Sequence, residues 1–451
     1  PVNEHPDQIV GINVDSVPVG ASTLLRLGLF LQMLQQEQKV YACALHIHHL
    51  MYFSLPALKF LLKSVSPLRT RYFIHDYFGI CTNHNLMKNN ERFCGDETLE
   101  DNCCEQCCHY VDRKPHFEAV RAFFKLIRPE IVAPSETASI IWSKYYPEHS
   151  KDIRIVPHQV ICPVSADQWG TDKNHQAPDY RPSIAYLGYE SQIKGLETWW
   201  RLCRDKEIRK YYRLFHLGSA GVKMEKVKYI PVSFLKDGPN AMIKALHENK
   251  IDIAFLWSIW PETYSFTLSE ALAVNCFIIT THLSGNIAAV VRQSDRGMVF
   301  EDEKGMHRYL KNPARVREAL SKNQKHNQRH RLVFNSEIAL ESAKDLRQNS
   351  FHIITDQDED MQNVSRVSSL LYLLEQIKKE DNEIEDEKNK VKSRSINLVS
   401  KIAALEEELA VYRLSKLHGL AESLRIRLGR YPLWSSSLKR LYADFTRFLK
   451  K

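Results

Sequence analysis

Between about residues 40 and 300, short unbroken apolar runs alternate with longer stretches of helical periodicity. This alternation constrains the fold more than any other feature of the chain. The runs "VYACALHI", "TRYFIHD", "IVAPS" and "IRIVPH" come first, followed by "SIAYLGY", "YRLFHLGS", "IDIAFLW" and "CFIITT". Most are continuous rather than alternating in polarity. A strand buried on both faces of a parallel sheet has that pattern. Helical patterns such as "SLPALKFLLKSV", "FEAVRAFFKLI" and "LETWWRLCRD" lie between them. Repeated strand–helix units predict doubly wound α/β structure. The 451 residues exceed one ordinary core, so two such domains and an appendage are expected.

Composition shifts mark the boundaries. Residues 1–163 are expected to form an N-terminal Rossmann-like domain, and 183–345 a second one. The polar, Pro-bearing stretch "PVSADQWGTDKNHQAPDYRP" includes the linker expected at 164–182. Residues 346–368 carry the acidic "TDQDEDMQN" and read as a spacer. Over 369–416, Ile377, Ile384, Val391, Leu398, Leu405 and Tyr412 recur every seven residues. Leu374, Ile402 and Leu409 fill part of the second core position, and Asp381, Lys388 and Ser395 interrupt it. This is a coiled-coil pattern for self-association or a partner protein; one long solvated helix is the alternative. Residues 417–451 mix Arg and Lys with Leu, Trp, Tyr and Phe, a basic amphipathic pattern suited to peripheral membrane contact or to packing on the protein itself.

Charged residues make up 26% and the net charge is +8, which admits an anionic ligand without calling for nucleic acid. The sequence has no run of 18 apolar residues and no signal-peptide pattern at its start, so a cytoplasmic protein is expected, peripheral on the inner face of the cytoplasmic membrane. Pro1 at the start suggests processing or missing upstream chain.

In an open α/β sheet the ligand lies at the C-terminal ends of the strands. Four segments fall on such ends in the second half: "YLGYESQIKG" with Gly188, Lys194 and Gly195, then "HLGSAG", "SIWPETYSF" and "THLSGN". The stretch "WPETYSFTLSEAL" places Glu262 and Glu270 where a buried strand becomes a helix. The first turn of that helix offers N–H groups and a positive dipole end to phosphate, and Lys194 adds charge. Carboxylates repel phosphate, so the two glutamates suit hydroxyl groups, from which they accept hydrogen bonds. Phosphate and hydroxyls together describe a nucleotide-diphosphate sugar. Taken alone, either glutamate could instead complement a helix start or cover a helix surface.

The Glu262-x7-Glu270 pattern, with "KG" at 194–195 upstream, resembles retaining glycosyltransferases of family 4, which have the GT-B fold. "HIHHL" at 46–50, "HDYFGIC" at 75–81, "CG" at 94–95, "APS" at 133–135 and "VPH" at 156–158 follow that family's order, closest to a bacterial subgroup that builds surface polysaccharides. The resemblance implies that Glu262 lies by the donor sugar and Glu270 by the ribose. Lys194 would meet the diphosphate, and the N–H groups of Thr263, Tyr264 and Ser265 the distal phosphate. His75 would face the donor sugar across the cleft, with His48, His49 and Asp76 on the acceptor side. It also implies a metal-independent reaction. Many relatives carry an arginine shortly before the lysine, and "GYESQIKG" has none.

Six of the ten cysteines fall within 81–108. Cys81, Cys94, Cys104 and Cys107 form the best tetrahedral set, with Cys104-x-x-Cys107 as the tight pair. A closed four-cysteine zinc site would be structural, and the same spacing occurs in the polysaccharide-building subgroup. Free thiols or disulfides are the other reading. The sequence thus predicts a retaining glycosyltransferase that extends a lipid-linked surface glycan of O-antigen or capsule type. Its rival is a catalytically weak GT-B module that scaffolds an assembly complex.

Overall fold

A computed structural model describes residues 9–350, except 15–16, 37–42, 96–101, 164–176, 178, 220 and 325–329. The expected coiled coil and basic amphipathic segment, and all but the start of the acidic spacer, lie outside the described residues. The described residues from Ala21 onward belong to one compact unit. The sheets and helices that form the candidate site belong to that unit. Among the described residues no helix is long and apolar enough to cross a membrane.

The N-terminal half is built on a parallel sheet of β1 (Ala44–Ile47), β2 (Arg69–Phe73), β3 (Glu130–Ala133) and β4 (Arg154–Ile155), in that order. Helix α1 (Leu24–Gln36) precedes it. α2 (Leu55–Val65), α3 (Tyr110–Ile127) and α4 (Glu136–Tyr145) connect or follow its strands. α2 shows how local sequence fixes an element. Ser54 caps it by accepting from the Ala57 N–H at 3.3 Å, and Ser66 ends it in the left-handed region. Its buried face is Leu55, Leu58, Leu61 and Leu62. Beneath the sheet, Tyr72, Phe124, Trp142 and Tyr146 form one buried aromatic cluster.

The second half holds six parallel strands. β6 (Ser183–Leu187), β7 (Arg213–Leu217), β8 (Val227–Ile230), β9 (Ile253–Leu256), β10 (Phe277–Thr281) and β11 (Gly297–Phe300) lie in the spatial order β8-β7-β6-β9-β10-β11. The order reverses between β6 and β9, as in a dinucleotide-binding sheet. Every residue of β6, β9 and β10 is buried, which explains their unbroken apolar runs. Helices α5 (Leu196–Arg204), α6 (Phe266–Ala273) and α7 (Asn286–Ser294) begin shortly after β6, β9 and β10. The expected α/β class, parallel sheets with intervening helices in both halves, is found; the order reversal of a doubly wound sheet is seen in the second half, whereas the four strands of the first run in consecutive order.

Two segments tie the halves together. β5 (Gln159–Pro163) pairs antiparallel with β12 (His330–Phe334). α8 (Glu337–Ser350) then returns to the first sheet and continues past residue 345. Arg71 is fully buried and bonds Glu130 at 2.8 Å and Glu341 at 3.0 Å. Arg154 reaches Glu130, Glu337 and Glu341 at 2.9, 2.8 and 2.6 Å. Residues 69 and 71 share a face of β2 because strand side chains alternate, so both arginines meet α8.

Candidate functional site at the strand ends

The β9–α6 junction is held from two neighbouring loops. The Ile259 N–H bonds the Ile193 carbonyl at 2.9 Å, joining it to the loop after β6. The Asn286 N–H bonds the Glu262 carbonyl at 3.0 Å, and Ser284 Oγ the Ser258 carbonyl at 2.8 Å, joining it to the start of α7. Two glycines make these approaches sterically feasible. A Cβ at Gly195 (φ 77°) would lie 2.2 Å from the Trp257 carbonyl oxygen. One at Gly285 (φ 57°) would lie 2.6 Å from Pro261. Gly188 has φ 99°, and its carbonyl crowds Gly218 in the same way.

Glu262 is buried, at 4% exposure. Ser258 Oγ donates to its Oε1 at 2.7 Å, and Lys194 Nζ lies 3.9 Å from the same oxygen. Lys194 also stands 5.1 Å above the Tyr189 ring. These are the two residues that the sequence singled out on neighbouring loops, and the fold brings them together. Ser265 caps α6 by accepting from the Leu268 N–H at 3.2 Å. The first intrahelical bond is Ser269 to Ser265, so the N–H groups of Thr263 and Tyr264, and of Ser265 itself, precede the helical ladder. Glu270 lies on α6, half-buried, and burial raises its carboxyl to about 7. It sits in the second turn of α6, apart from the Glu262–Lys194 pair, and only desolvation moves its carboxyl.

The N-terminal half presents imidazoles. His48 Nδ1 and His75 Nε2 are 2.9 Å apart, and His49 Nε2 lies 2.9 Å from Asp76 Oδ2. The hydrogen bond to Asp76 raises the His49 imidazole above its ordinary range. Burial first, then His158 and His48, lower His75 to about 4, so His75 is neutral at pH 7. It can therefore accept a hydrogen bond or orient a hydroxyl, but it is not a cation there.

Three hydrogen bonds stitch this half to the Glu262 loop. Thr263 Oγ1 donates to the His75 carbonyl at 2.7 Å, and Tyr77 Oη to the Pro261 carbonyl at 3.1 Å. Ser135 Oγ donates to the Thr263 carbonyl at 2.7 Å. Tyr77, Ser135 and Ser258 were not among the expected site residues. "APS" and "HDYFGIC" contain two of them, but nothing in a short motif says that a hydroxyl will reach across to another domain. His158 was not among them either, although "VPH" contains it.

The cysteines give a mixed result. Cys81 and Cys94 each feel the thiols of Cys104 and Cys107, so the expected set shares one neighbourhood. Arg113, 4% exposed, donates to Cys104 Sγ, while its Nε and Nη2 lack hydrogen-bond partners. A buried guanidinium suits a thiolate set. Yet among the described residues no three His, Cys, Asp or Glu side chains converge to hold a metal. Among the described residues, none of the nine cysteines whose side chains are described forms a disulfide.

No protein-family model matches the chain, and no curated protein matches it. Among solved structures it is similar to HepE from Anabaena in complex with UDP-glucose, at 10% identity and TM-score 0.41, over 72% of this chain and 82% of that one. It is also similar to a glycosyltransferase from Rickettsia africae, at 13% identity and TM-score 0.41, over 72% and 80%. A third is the glycosyltransferase SnogD from Streptomyces nogalater, at 11% identity and TM-score 0.30, over 71% and 82%.

Proposed function

We propose that the chain is a GT-B glycosyltransferase that moves a sugar from a nucleotide-diphosphate donor with retention of configuration. One observation carries this reading. Buried Glu262, partnered by Lys194, sits directly before the open N-terminus of α6, at the strand ends of a six-stranded parallel sheet. Phosphate would lie against the N–H groups of Thr263, Tyr264 and Ser265, with Lys194 beside it. Glu262 would meet the hydroxyls of the transferred sugar, and Glu270 the ribose.

Such a site works by preorganised electrostatics. The departing diphosphate gains negative charge as the glycosidic bond breaks, and the helix N–H groups and Lys194 are already aimed at it. Glu262 stabilises the positive charge developing on the sugar. The acceptor hydroxyl attacks the face that the diphosphate leaves, so no side-chain nucleophile and no metal is assigned a step. His48, His49 and Asp76 would line the acceptor side. A lipid-linked surface glycan as acceptor rests on the likeness of residues 46–158 to the polysaccharide-building subgroup.

A thermal-shift and hydrolysis screen over nucleotide-diphosphate sugars tests the proposal. Stabilisation and slow hydrolysis with at least one donor, both reduced in Lys194→Ala, are expected. No response to any donor would favour a scaffolding role.

A further inference from the structure

The rings at the domain junction form a continuous stack. Phe73 lies on His48 at 4.3 Å, His48 on His75 at 5.2 Å, and His75 on His158 at 5.0 Å. His158 in turn stacks on Phe266 at 5.7 Å with an interplanar angle of 10°, and meets the Tyr264 ring at 4.9 Å. Phe266 is the first residue of α6. The stack therefore delivers the His158 imidazole to the helix end where the N–H groups of Thr263, Tyr264 and Ser265 precede the helical ladder. Among the described residues, neither ring nitrogen of His158 has a hydrogen-bond partner, while its carbonyl accepts from the Asn335 N–H at 2.9 Å. The backbone is thus anchored and the imidazole is left for something else.

Charge balance identifies that role. A nucleotide sugar brings two negative charges in its diphosphate. The loop "GYESQIKG" supplies one cation, Lys194, and Glu262 already engages it at 3.9 Å. The arginine that could supply a second is absent. A neutral imidazole beside the phosphates can take a proton from the buffer acid and become that cation.

We propose that His158 is a further ligand of the donor diphosphate and that donor binding draws about one proton onto its imidazole, which stacks on His75. This rests on the proposed nucleotide-sugar donor. The groups facing the pair are His48, with His46 behind it, His49 and Asp76 from the loop after β2, and Tyr264 from the α6 loop. Of these only Asp76 is an acid, and it is committed to His49. Burial, then the neighbouring imidazoles, keep both rings neutral without ligand. The bound anion reverses that preference. Affinity should then rise as pH falls through the ligand-bound ionisation, and level off once the free protein is itself protonated.

The test is titration calorimetry of the full chain with UDP-, GDP-, dTDP- and ADP-linked hexoses. These diphosphates are diesters and do not titrate near neutrality. Repeating each titration at pH 7 in buffers of different ionisation enthalpy counts protons. Wild type should take up about one proton, and His158→Phe, which keeps the stack, close to none, with affinity about 10-fold lower. His158→Gln should recover part of the affinity without the proton. Unchanged unliganded Tm in both variants separates the effect from misfolding. Binding without proton uptake in wild type, or full uptake in His158→Phe, would overturn this inference and leave the donor reading standing. Binding of none of the four would overturn both.

Discussion

Thr263 Oγ1 donates to the backbone carbonyl of His75 at 2.7 Å, so the loop bearing Glu262 is tied to the loop bearing the histidines. The proposed donor side and the proposed acceptor side thereby share a hydrogen bond between the neighbour of Glu262 and His75 itself. Thr263→Val keeps the shape and removes the donor. It should cost about 1 kcal/mol in stability. It should also lower kcat/KM about 10-fold or more, because a misplaced reacting geometry is expensive. Denaturant titration and steady-state kinetics give the two numbers, and unaltered kinetics would show that the tie is only structural.

Among the described residues, Lys194 is the side-chain cation paired with Glu262, at 3.9 Å. Lys194→Ala should reduce kcat about 100-fold, the scale of removing one preorganised donor from a developing anion. Single-turnover kinetics with the donor found in the screen would read this directly. Wild-type turnover would remove the lysine from the site.

Glu270 carries a pH signature. Its carboxyl ordinarily ionises near 4.5 and burial raises it to about 7. Between those values the folded state binds more protons than the unfolded one, so stability falls as pH rises from 4.5 to about 7, then stays level. The full effect is at most about 3 kcal/mol. Glu270→Gln should be more stable than wild type above pH 7 and should lack this part of the slope. Parallel pH profiles of thermal unfolding in the two proteins would show no difference if the carboxyl is already paired.

Gly195 and Gly285 should resist substitution for steric reasons. Alanine at either forces a Cβ into backbone atoms at 2.2 Å or 2.6 Å and strains a positive φ. Each change should cost at least about 2 kcal/mol and abolish the thermal shift given by the donor. Alanine at Gly238, also of positive φ but with open space around it, is the control that separates φ strain from collision.

Arg71 is buried between Glu130 and Glu341. Arg71→Met would leave two carboxylates facing a smaller positive charge and should destabilise the protein by about 3–5 kcal/mol. Limited proteolysis should then cut first within α8, since that helix loses its anchor. Cleavage elsewhere first would mean that α8 is held mainly by Arg154.

The sequence by itself determined the sheet class. Unbroken apolar runs at β6, β9 and β10 require burial on both faces, and helical repeats between them leave a parallel sheet as the economical arrangement. Local chemistry also marked Lys194, Gly195, Glu262 and Glu270, since strand ends and helix starts are written in neighbouring residues. Tertiary structure alone decided the rest. Thr263 and His75 are 188 positions apart, and Arg71 and Glu341 are 341 − 71 = 270 apart. No local periodicity encodes such pairs. His158 had no signal of its own, because a lone histidine after a strand has many uses. The six-stranded sheet, the returning α8 and the stitched loops placed its ring between His75 and Phe266, and only packing over that distance could do so.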